Sequence, residues 1–102
     1  KDFFMKEAQD EIVHAQYLAE KITHLGGEPV VQAKLISPRR DVKKMLEVSH
    51  QAELDTIERY TKRISQAESL GEIELKIQLE NMIADETKHK EEIERLLEDP
   101  RF

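Results

Sequence analysis

Only six residues in this chain are able to break a helix by their own backbone chemistry: three glycines and three prolines. They sit at Gly26, Gly27 and Pro29, at Pro38, at Gly71 and at Pro100. The stretches between them carry apolar side chains at steps of three and four, the period of an amphipathic helix. The first shows Phe4, Ala8, Ala15, Leu18, Ile22 and Leu25. The second shows Val42, Met45, Leu46, Ala52, Ile57, Tyr60 and Ile64, and the third Leu75, Leu79, Met82, Ile83, Ile93 and Leu96. Three long helices follow, over about 1–25, 38–69 and 72–98, in a single all-α domain spanning 1–102. Gly26-Gly27 stops the first and Gly71 the second. Ser37-Pro38 offers a cap and first turn for the second helix, and Asp41 is an alternative cap. The pattern is already running at Lys1, so the chain is expected to be an N-terminally trimmed piece.

Composition narrows the partners. With 16 basic and 22 acidic residues the net charge is −6, which suits cations and argues against nucleic acid or an anionic membrane. There is no cysteine, so disulfide, thiolate and iron–sulfur chemistry are excluded. No apolar run approaches the ~20 residues of a membrane span, and no signal peptide is visible, so a cytoplasmic location is expected.

The stripes are interrupted in a telling way. Helix one's stripe at 4, 8, 11, 15, 18, 22 and 25 passes through Glu11, with His14 one turn on. Helix two's stripe at 42, 45, 49, 53, 57, 60 and 64 passes through Glu53. Helix three's stripe at 75, 79, 82, 86, 89, 93 and 96 passes through Glu86 and His89. Three carboxylates and two imidazoles thus stand where a bundle core is apolar, and no Lys or Arg shares those stripes. Burying carboxylates without a counter-charge is costly, and a shared metal ion supplies one.

Spacing points the same way. Glu11-Ile12-Val13-His14 and Glu86-Thr87-Lys88-His89 are both Glu-x-x-His, whose ends project from one helix face a turn apart. An aspartate precedes each, Asp10 and Asp85, suited to accept the outer N–H of a ligating histidine. If helices two and three turn back near Leu70-Gly71, level residues have numbers averaging about 70. Glu53 and Glu86 average 69.5, and Glu53 and His89 average 71. The stretch 28–40 is long for a loop. At about 3.3 Å per residue it just spans a bundle, so a crossover between helices one and two is expected. Its apolar residues Val30, Val31, Leu35 and Ile36 are expected to lie against the protein.

These motifs resemble the ferritin-like di-iron carboxylate family, bacterioferritins most of all. The resemblance covers almost the whole chain: Asp10-Glu11-Ile12-Val13-His14-Ala15, then a glycine stop and apolar crossover. Met45-Leu46 and Glu53-Leu54-Asp55 follow, and then Asp85 to His89. It implies a four-helix bundle whose first helix is missing here or supplied by another chain, together with that helix's glutamate ligand. It implies two irons per complete bundle, bridged by Glu11 and Glu86, capped by His14 and His89, with Glu53 terminal beside His89's iron. The implied activity is ferroxidase: oxidation of Fe(II) to Fe(III) by dioxygen or peroxide, with iron storage and detoxification in a homo-oligomer that in the family takes the form of a cage. Manganese or zinc are alternative metals. Haem is not expected, because Ile12 stands where the family's haem-ligating methionine follows the second-helix glutamate. A rubrerythrin-type di-metal peroxidase or oxidase, and a bundle merely pinned by a structural metal, are the alternative functions. Outside the stripes, His50 reads as solvated or adjacent to the site, His24 as a partner of a helix C-terminus, and Tyr17 and Tyr60 as packing residues.

Overall fold

A computed structural model of the chain describes residues 2–30 and 41–101, with side chains from Met5 onward. It contains α1 (Asp2–His24), α2 (Val42–Ser69) and α3 (Ile73–Leu97), and no strand among the described residues. The chain forms two compact units, Lys1–Ile36 and Ser37–Phe102.

In the first unit α1 ends as the glycine pair requires. Gly26 takes a positive φ of 89° and donates its N–H to Thr23 at 3.0 Å, while Gly27 donates to Ile22 at 2.9 Å. This double bond satisfies carbonyls that a helix end leaves orphaned, and glycine reaches the left-handed conformation without a Cβ clash. Lys21 and His24 lie in the last turn, where a cation meets the negative end of the helix dipole. The expected apolar stripe is out of phase with what is covered. Ala8, Ala15, Ile22 and Leu25 are exposed, and the least exposed line runs through Glu7, Glu11, His14, Leu18 and Lys21. Val30, expected against the protein, is exposed; Val31, Leu35 and Ile36 lie outside the described residues, as does most of the crossover.

The second unit is an antiparallel hairpin of α2 on α3. Ser37-Pro38, the other expected start, lies outside the described residues, and Asp41 is set at the start of α2. Its backbone is extended (φ −84°, ψ 108°), and its carboxylate accepts the N–H groups of Lys43 at 3.0 Å and Lys44 at 3.4 Å. Two otherwise orphaned donors are satisfied there. Asp41→Ala is expected to cost about 1 kcal/mol, read as a lower urea midpoint with unchanged slope. The turn falls where glycine placed it: Gly71 has φ 72° and donates to Glu68 at 3.1 Å, and Glu72 donates to Ala67 at 2.9 Å. Both glycine-ended helices of this chain therefore close with the same pair of bonds.

Across the hairpin the sequence periods hold. Met45, Val48, Ser49, Glu53, Ile57, Tyr60 and Ile64 are buried or half-buried on α2, while Val42 at its start is exposed. All seven stripe positions of α3, from Leu75 to Leu96, are buried or half-buried. The apolar core is Leu46, Ala67, Leu79, Met82 and Ile93. Polar contacts tie the helices together outside it: Lys76 reaches Glu68 at 3.4 Å beside the turn, and His50 meets Glu94 at 2.9 Å towards the open end.

Candidate metal centre

The centre of the hairpin is polar. Glu53 is 4% exposed, Glu86 1% and His89 9%, and Glu86 is as thoroughly covered as Leu46 and Leu79, at 1% and 2%. Glu86 and His89 stand one turn apart on α3, and Glu53 faces them from α2 at the same level. A ligand atom from each of the three lies within 4.8 Å of the others. His89 Nδ1 is 3.8 Å from Glu53 Oε1 and 3.9 Å from Glu86 Oε2.

Those distances carry chemical information. They exceed a hydrogen bond, which needs about 3.2 Å or less for N–H···O. They are roughly half an ångström wider than two donors on one tetrahedral ion, which at about 2.1 Å each lie roughly 3.4 Å apart, so a small side-chain shift brings the set onto a shared metal. Glu53 Oε2 is buried and has no hydrogen-bond partner among the described residues. Two carboxylates in so dry a place repel one another unless a cation joins them. The set of two hard oxygens and one borderline nitrogen fits a divalent first-row metal.

On α1, Glu11 and His14 stand a turn apart on its least exposed line. His14 is 5% exposed, and Glu11 is half-buried with Oε1 covered and without a hydrogen-bond partner among the described residues. Of the five expected ligands, then, Glu53, Glu86 and His89 converge on one spot, and Glu11 and His14 share one face of their own helix. Asp10 and Asp85, which precede the two motifs, are both half-buried.

One pair was not legible beforehand. His50 Nε2 and Glu94 Oε2 lie 2.9 Å apart, and Lys90 Nζ approaches the same carboxylate at 3.2 Å. His50, then Lys90, holds the Glu94 carboxyl below its ordinary value of 4.5. A carboxyl lowered in the folded state stabilises above its unfolded value, and that contribution is lost as pH falls through the lowered one. With Glu94 43% exposed, solvent screening keeps the effect small. The signal was available: the numbers of His50 and Glu94 average 72, the level rule that aligns Glu53 with His89. His24 is exposed in the last turn of α1, and Tyr17 and Tyr60 are half-buried.

A sequence model of the ferritin-like domain matches residues 1–102. No curated protein is similar enough to count as a match. Among solved structures, one described as ferritin-like, diiron-carboxylate proteins from Bacillus anthracis str. Ames is 52% identical, with a TM-score of 0.90, over 95% of this chain and 70% of that one. No described helix is long and apolar enough to cross a membrane. With its helices, its doubled Glu-x-x-His motif and a match along its entire length, the chain belongs to the ferritin-like domain family.

Proposed function

We propose that this protein is a ferroxidase, oxidising Fe(II) to Fe(III) at a di-iron site, with iron storage and detoxification as its role. The observation that carries the reading is the buried trio Glu53, Glu86 and His89, with ligand atoms within 4.8 Å and one glutamate oxygen left without a hydrogen bond among the described residues. The description of the similar solved structure as a diiron-carboxylate protein supports it.

In this reading Glu86 and Glu11 bridge the two irons, and His89 and His14 each cap one. Glu53 is the terminal ligand beside His89, consistent with their 3.8 Å separation. Iron is the substrate: each Fe(II) gives up one electron, and dioxygen or peroxide accepts them. Carboxylates, being hard, favour the ferric product, while imidazole nitrogen also holds the ferrous substrate. Asp10 and Asp85 orient the imidazoles through their outer N–H groups. A homo-oligomer is the working form, and chain outside the three helices supplies a further carboxylate.

Anaerobic titration with Fe(II), followed by air, tests this through near-ultraviolet absorbance. The expected result is about two irons per bundle, oxidised rapidly on admitting air. Tight binding that raises the melting temperature without oxygen uptake overturns the reading in favour of a metal-pinned bundle. Oxidation without an accumulating ferric core favours a peroxidase or oxidase instead.

A further inference from the structure

We propose that Met82 is an oxidation site of this protein, converted to the sulfoxide by hydrogen peroxide released at the iron centre. The inference rests on the ferroxidase reading and adds to it a residue that the centre itself does not use. The buried line of α3 reads Leu79, Met82, Glu86, His89, Ile93, so a thioether, 4% exposed, stands one turn from the carboxylate of Glu86. Both side chains lean towards the helix N-terminus, so at this i, i+4 spacing they remain neighbours on one face, with Cβ atoms roughly 5–6 Å apart. The other two methionines differ in kind: Met45 is half-buried near the start of α2, and Met5 is 62% exposed on α1.

The chemistry balances. Two Fe(II) ions lose one electron each, and dioxygen takes both electrons and two protons to give hydrogen peroxide. The sulfur lone pair of Met82 then attacks one peroxide oxygen, the O–O bond breaks, and the second oxygen leaves as water. Sulfur is oxidised by two electrons and peroxide is reduced by two. A solution oxidant attacks methionines in order of exposure, and Met82 is then the last of the three. An oxidant born beside Glu86 reaches Met82 first. A sulfoxide there places a polar group in the core of the hairpin, so turnover by dioxygen limits itself.

The test is peptide mass spectrometry on the full chain after Fe(II) and air, with catalase in the bulk solution and iron oxidation followed by absorbance in the same samples. The expected result is one added oxygen on Met82 ahead of Met5. Metal-free protein treated with hydrogen peroxide is expected to show the reverse order, and protein loaded with Zn(II) in air no addition at Met82. Met82→Leu, close in volume, is expected to keep the rate of iron oxidation and to retain its helicity over more turnovers than the parent. Iron oxidation that leaves Met82 unmodified, or that modifies Met5 first, overturns the proposal, as does a sulfoxide at Met82 with Zn(II). A flat absorbance trace takes down the ferroxidase reading along with it, and is distinguishable from those outcomes by that trace.

Discussion

Replacing Glu53 with leucine is expected to make the metal-free protein more stable while ending iron oxidation in the same molecule. Glu53 is 4% exposed, and its Oε2 has no hydrogen-bond partner among the described residues. Its carboxylate shares a dry space with that of Glu86, and His89 Nδ1 lies near both, at 3.8 and 3.9 Å. Leucine removes one of two like charges and leaves Glu86 with the imidazole. Replacing a whole buried ionic cluster by apolar groups of similar volume is often neutral or stabilising by about 1–4 kcal/mol, and removing one of two like charges acts in the same direction. The gain is read as a higher melting temperature in chelator. Added Zn(II) or Mn(II) then separates the two proteins again, since a metal that binds only the folded state stabilises it by mass action. The parent's melting temperature rises with metal and the variant's rises far less. A Glu53→Leu protein that is less stable than the parent in chelator would mean that the carboxylate is held by the protein itself, without need of a metal.

Ile93→Ala, one turn beyond His89 on the same buried row, is expected to act with the opposite sign. Ile93 is fully buried at 0% exposure in the apolar part of the hairpin, with Leu46 at 1%. Truncation loses the transfer free energy of the removed carbons and leaves a cavity, together about 2–5 kcal/mol. Against a typical domain stability of roughly 5–15 kcal/mol, that is a large share. Urea denaturation should show a midpoint well below the parent's at similar slope. Two positions on the facing helices α2 and α3 thus separate what the buried face does for folding from what it does for chemistry: its hydrocarbon stabilises the hairpin, and its carboxylates cost stability until a cation arrives.

The helical elements were readable because glycine is nearly unambiguous as a stop. Gly26 and Gly71 both adopt the positive φ that other residues resist, and the level of Glu53 with His89 follows from the second of them. The stripes of α2 and α3 were readable because large apolar residues mark their phase. The phase of α1 was not, because Ala8 and Ala15 say little about which face is covered, and the covered line runs through Glu7, Glu11 and His14. Asp41 satisfies the rules for capping α2 as Ser37 does, and the bonds from Lys43 and Lys44 show Asp41 in that role. Glu94 escaped notice because, within the mixed charges of 88–98, it looks like an ordinary surface partner for Lys90. Its bond to His50 exists only once the two helices are in register.

The turn at Gly71 also acts as the origin of a ruler. Glu53 lies 18 residues before it and His89 18 residues after it, so each ligand is measured out along roughly 27 Å of helix from the same point. One residue inserted on a single leg would slide its ligand by about 1.5 Å and swing it by roughly 100°, which takes it off the shared face. Equal insertions of about two turns on both legs would leave the facing pair as it is. Length can therefore change in this hairpin only symmetrically, and the chemistry is protected by a count kept at the hairpin's closed end.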